Sequence, residues 1–142
     1  MALKYHPDVA AILAETLTGL VDAGATPGKI LIYDGVEPAN PTIPVGAQIL
    51  LAEFTLANPS FAAPTQEVTG AVAAGTLPPA VPAAQNGLAT WGRLVDGDGN
   101  VIIQGSATTM GGNGQFKLTS TDLVQGVDVA VVELTYTQPR GY

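Results

Sequence analysis

Cysteine is absent from this 142-residue chain and histidine occurs once, so the sequence holds no disulfide, thiolate nucleophile, zinc–sulfur site or multi-histidine metal centre. Charge is scarce too. Charged residues make up 12% of the chain, about half the usual share of roughly 25%. The five basic residues, Lys4, Lys29, Arg93, Lys117 and Arg140, lie far apart against twelve acidic ones, leaving a net charge of −7. Binding to nucleic acid needs a concentrated basic surface, so the composition argues against that partner. Apolar runs such as 49–52 and 129–132 fall far short of the roughly 18 residues that cross a bilayer. Residues 1–8 lead straight into a patterned segment rather than into the apolar core of a secretory signal. A soluble chain without a membrane partner is expected, and its length suits a single domain over 1–142.

What the chain has in quantity is glycine, 17 residues, and proline, 11, in a background that is 46% hydrophobic. Only one segment has helical periodicity. Val9, Ile12, Leu13, Leu17, Leu20 and Val21 recur at spacings of three and four, with Asp8, Ala11, Glu15, Thr18 and Asp22 on the other side. Pro7 suits the first turn and Gly24 the position just past the end, which predicts a helix over about 7–23. Its apolar stripe is expected to bury against the domain's own sheet, a partner's groove being the alternative.

Beyond residue 28 the pattern is that of strands. Residues 29–34 close on the turn pair Asp34-Gly35, and 48–56 are apolar on both faces, as in a strand between two layers. Residues 36–46 carry Pro38, Pro41 and Pro44, which remove ladder donors and predict an extended connection. Residues 57–86 have Glu67 as their only charge and contain Pro78, Pro79 and Pro82. A strand at 66–73 is expected there, in a segment either ordered or covered by a partner. Residues 88–95 and 101–106 flank Asp96-Gly97-Asp98-Gly99-Asn100, a β-hairpin signal. Residues 115–119 and 127–137 complete the set. One helix followed by six to eight short strands predicts a mainly β fold, an antiparallel β-sandwich or jelly roll over about 28–138 with the helix packed outside it or at one end.

Candidate chemistry is sparse. Asp96, Asp98 and Asn100 have the 1-3-5 spacing of calcium loops, but Val101 and Ala107 stand where that loop needs glycine and a bidentate glutamate. They remain weak metal candidates beside the plain hairpin reading. His6 next to Pro7 reads as a helix cap or surface side chain, since no second histidine or cysteine supports acid–base work. None of Ser60, Ser106 and Ser120 lies in a Gly-x-Ser-x-Gly elbow. Trp91 is either a sugar-stacking platform or the core anchor of its strand, and Arg93 two residues on suggests a face reaching the rim. No enzyme and no cofactor are expected. What remains are apolar edges and the proline-rich stretches, with Pro38, Pro41, Pro44, Pro78, Pro79, Pro82 and Trp91 as interaction candidates.

The order amphipathic helix, Gly-Lys-Ile-Leu-Ile-Tyr-Asp-Gly at 28–35, Leu-Leu-Ala-Glu-Phe-Thr-Leu at 50–56, Asn-Pro-Ser-Phe at 58–61, Ala-Thr-Trp-Gly-Arg-Leu-Val-Asp-Gly-Asp-Gly-Asn at 89–100 and Gly-Ser-Ala at 105–107 resembles a group of small virion-associated proteins of tailed bacteriophages. The resemblance covers about residues 9–137 and rests on strand-and-turn motifs. It implies a β-sandwich structural protein of the virion, made in the host bacterial cytoplasm, and carries over no active-site residue. Within that setting the expectation is a capsid decoration or cement protein whose partners are the major capsid protein or other virion proteins, in a homo-oligomer or symmetric array. A neck or tail protein and a carbohydrate-binding module are the alternatives.

Overall fold

The computed structural model describes residues 3–142. It is mainly β, with one N-terminal helix and a curled mixed sheet. The helix, α1 (Pro7–Val21), is opened by His6, whose Nδ1 accepts the Asp8 N–H at 3.2 Å, so His6 is a cap. Strand β1 (Lys29–Tyr33) pairs antiparallel with β2 (Leu50–Thr55) on one side and with β7 (Trp91–Val95) on the other. β7 continues through the Asp96–Asn100 turn into β8 (Val101–Thr109). That hairpin is the one the sequence announces. β9 (Phe116–Leu118) runs parallel to the end of β8 and antiparallel to β12 (Val131–Glu133), giving the sheet order β12-β9-β8-β7-β1-β2.

A second sheet of three strands, β13-β4-β3, joins β3 (Thr65–Glu67), β4 (Gly70–Ala74) and β13 (Thr135–Pro139). Two short ladders close the structure: β5 (Val81–Pro82) with β11 (Asp128–Val129), and β6 (Gly87–Leu88) with β10 (Asp122–Leu123). The main core draws on both larger sheets, with Ile30, Ile32, Phe54, Leu94 and Phe116 from the first meeting Ala73 and Leu134 from the second region. Burying these apolar side chains is the main stabilising term of such a fold.

Several expectations shift at this level. Residues 66–73, expected as one strand, form a hairpin that reverses at Val68 and Thr69, with Glu67 facing Gly70. The expected last strand, 127–137, is three strands serving three partners, the pairing breaking off at Ala130 and again at Leu134. Residues 57–86 are woven into the chain's own fold. Thr76 N–H donates to Ser60 O, Ala83 N–H to Val127 O and Ala84 N–H to Leu51 O, while Phe61, Ala71, Ala73 and Ala83 are buried.

Candidate interaction surface

The side of α1 that meets the sheet is not the one its large apolar residues occupy. The helix docks through Ala10, Ala14, Thr18 and Val21, all buried, and Ala10 and Ala14 pack with Ala71 of β4. Small side chains on both elements let the helix lie close to the sheet, and dense packing there leaves no room for leucine. Each residue turns the helix by about 100°, so the expected core stripe points elsewhere. Val9 is 44% exposed, Ile12 60%, Leu13 38% and Leu20 49%; only Val21 of that stripe is fully buried. The expected burial of the stripe on the domain's own sheet is therefore corrected.

The uncovered stripe borders a groove of about 380 Å³ whose walls are Leu13, Leu17 and Leu20 of α1 and Val101, Ile102 and Tyr136 of the β region. Within the stripe Thr16 is the polar residue, and its hydroxyl donates to Ile12 O at 2.8 Å. No charge lies on it: Asp8, Glu15 and Asp22 share the neighbouring side, seven residues apart.

A second apolar area is made by the loop after β1. Residues 34–48 curl around a hollow of about 570 Å³ lined by Val36, Pro38, Ile43, Pro44 and Ala47 among others. Its polar groups are satisfied within the loop: Asp34 Oδ1 accepts the Ile49 N–H at 2.6 Å, and Gln48 Nε2 donates to Val36 O at 2.6 Å. Arg93 anchors the loop from beneath. Its Nε donates to Gln104 Oε1 at 3.0 Å and its Nη2 to Ile43 O, while Gln104 Nε2 donates to Pro38 O at 2.8 Å. The face of β7 that carries Arg93 is thus covered by the loop and does not reach the rim, and Arg93 is only 6% exposed.

Trp91 is fully buried. Its ring stacks on Tyr33 with centroids 4.6 Å apart, Nε1 donates to Asp34 O at 2.9 Å, and the Arg93 guanidinium sits 5.3 Å from the ring centroid. Burial pushes the Tyr33 hydroxyl above its ordinary pKa, an effect that Arg93 partly offsets. The indole is a core anchor with no face free to stack on a sugar. Of the proline candidates, Pro41, Pro44, Pro79 and Pro82 are exposed, Pro38 is half-buried and Pro78 is buried. They do not gather into one surface: Pro38 and Pro44 line the loop hollow, while Pro82 sits in the β5 ladder.

The hairpin turn uses its own acceptors. Asp96 Oδ1 accepts the N–H groups of Asp98 at 3.0 Å and Asn100 at 2.8 Å, and Oδ2 accepts Asn100 Nδ2 at 3.0 Å. The Asn100 Nδ2 donor, the strongest of these contacts, holds the Asp96 pKa below the usual carboxylate range, helped by the backbone N–H donors. Asp96 and Asn100 are thus bonded to each other across the turn. Among the described residues no group of three or more His, Cys, Asp or Glu side chains is placed to hold a metal. No described helix is long and apolar enough to cross a membrane.

The large apolar residues of the helix lie on the stripe that their periodicity marks, but that stripe faces away from the sheet. A signal was present in Ala10, Ala14 and Thr18, a run of small side chains four apart that marks a close-packing face. The chain matches no protein-family model, no curated protein and no solved structure.

Proposed function

We propose that this protein is a non-enzymatic structural subunit that works by docking through apolar surface, and specifically a capsid decoration or cement protein of a tailed bacteriophage. The uncovered stripe of α1 carries the reading: an apolar helix face beside an apolar groove, without charge, is material for a covered contact. The phage setting rests on the resemblance of residues 9–137 described above. In this reading the six-stranded and three-stranded sheets are the halves of a sandwich- or jelly-roll-type subunit, and the loop hollow at 34–48 offers a second, independent contact. Bridging by two modest contacts suits a shell protein, because the first raises the effective concentration of the second.

Quantitative mass spectrometry of purified particles from a phage encoding this chain tests the reading. A decoration protein is present at roughly hundreds of copies, following the symmetry of the shell. A neck or tail protein is present at about a dozen or fewer copies, and absence from the particle removes the virion role altogether. Ile12→Glu, on an exposed position, is the appropriate variant: it should lower incorporation into particles while leaving the far-UV circular dichroism of the purified chain unchanged.

A further inference from the structure

We infer that the open edge of β13 takes up an extended segment of a partner protein as an added β-strand, a segment whose side chains alternate between apolar and uncharged polar. The inference rests on the docking reading of the α1 side and names the form of what docks there.

Two strand edges are left unpaired beside the helix. β13 ends the three-stranded sheet, and β9 pairs only with Ala107, Thr108 and Thr109 of β8, so 101–106 have no described strand on that side. The ladder fixes which main-chain groups of β13 face outward. Gly75 N–H donates to Leu134 O at 2.7 Å, and with Thr135 opposite Ala74 the residues bonded to β4 continue as Tyr136 and Gln138. The N–H and C=O groups of Thr135 and Thr137 therefore point away from β4. Of these, Thr135 O alone has a partner among the described residues, the side-chain amide of Gln115 at 3.1 Å. An amide N–H thus fills the first place of a row that Thr137 leaves open. Such a row is met by another extended backbone, which is how strand addition recognises its ligand.

The hollows flanking this edge say which side chains fit. Tyr136 and Gln138 line the groove of about 380 Å³ with Leu13, Leu17, Val101 and Ile102. Thr135 and Thr137 line a second hollow, of about 260 Å³, with Gln115, Lys117 and Glu133, and Tyr136 borders it too. Alternate residues of a strand face opposite sides, so an added strand sends one set of side chains into the apolar groove and the other toward the polar hollow. Lys117 and Glu133 stand opposite each other in the β9–β12 register, so their charges balance and the polar hollow suits a neutral hydroxyl or amide side chain. Pro139 has no N–H and closes the row, which also limits edge-to-edge pairing between copies. With so short a row, a single strand should bind with a dissociation constant on the order of 100 µM.

The test is a blocked synthetic hexapeptide of alternating valine and threonine, titrated to about 1 mM into the full chain labelled with nitrogen-15. The Thr135 and Thr137 amide resonances should shift saturably, and solvent exchange at Thr137 should slow by about tenfold near saturation. The same peptide methylated on every main-chain nitrogen keeps its side chains but has no N–H to donate, and should not bind. Thr137→Pro removes an outward N–H without touching the bonds to β4, and should weaken binding by about tenfold or more with an unchanged far-UV circular dichroism spectrum. Leu13→Glu, on the exposed wall of the groove, should weaken it by a similar factor. Absence of a saturable shift at Thr135 and Thr137, or equal binding by the methylated peptide, overturns the inference whether or not Thr137→Pro folds. Equal binding by folded Thr137→Pro overturns it as well, and Thr137 shifts that follow chain concentration without peptide reassign the edge to a second copy. A chain found in particles that fails this titration docks by another route, whereas one that passes it but is absent from particles loses only the virion role.

Discussion

Arg93 is, among the described residues, the one charged side chain held inside the fold, and its stability contribution comes from donors rather than from an ion pair. It ties strand β7 to Gln104 of β8 and to the carbonyl of Ile43 in the proline-rich loop. Arg93→Met keeps much of the volume but strips both acceptors of their donor, and buried acceptors left unpaired are costly. A loss of about 2–4 kcal/mol is expected in urea unfolding, with faster amide exchange confined to residues 36–46. Arg93→Lys keeps the charge but not the fork, and should recover only part of the loss. Asp96 gives the complementary case at the surface. Its folded pKa is depressed by Asn100, so its contribution is present above the unfolded value and is lost as pH falls through the folded one. A carbon-detected NMR titration should place the Asp96 midpoint below the usual carboxylate range. Asn100→Ala should move it back up and remove this part of the acid sensitivity.

At the level of elements, the two sides of α1 separate stability from association. Ala14 is fully buried against the three-stranded sheet, so Ala14→Leu forces extra volume into a closed contact and should cost about 1–3 kcal/mol in thermal or urea unfolding. Leu13, its neighbour in sequence, faces outward, and Leu13→Ser should change stability by less than about 1 kcal/mol. The same helix shows what could be read from sequence. Its histidine cap and its proline start were legible, because caps and helix-starting residues act locally; its end was not, since the helix stops at Val21 with Asp22 as its cap and Gly24 does not take a positive φ. Which side buries was not, because leucine and isoleucine mark an apolar face without naming what covers it. Strands followed the same rule. The Asp96–Asn100 hairpin was legible from turn chemistry alone, whereas the hairpin at Val68 and Thr69 lacks turn residues and is set by the pairing of Glu67 with Gly70. Val129, Val131 and Leu134 are all buried, yet the residue pattern of 127–137 does not record that the chain changes partner at Ala130 and Leu134. Likewise the burial of Trp91 depends on the loop 34–48 folding back over β7, a long-range event that no local pattern encodes.

The whole molecule carries −7, and that charge turns the identity of the partner into a salt dependence. Two copies meeting through an uncharged seam gain nothing from Coulomb attraction and must bring two acidic bodies together. A chain of this length has a radius of gyration of about 14 Å, so the centres of a pair lie roughly 30 Å apart. At that distance the repulsion between two such net charges is on the order of 2–3 kcal/mol at about 0.01 M salt, where the Debye length is about 30 Å. At about 0.5 M salt it is largely screened. Any self-association should therefore strengthen by well over tenfold between those two conditions. A basic partner on the same face gives the opposite sign, because added salt screens attraction between unlike bodies. Sedimentation at low and high sodium chloride distinguishes the two: a dimer that tightens with salt identifies the occupant as a second acidic copy, and a complex that loosens identifies a cationic one.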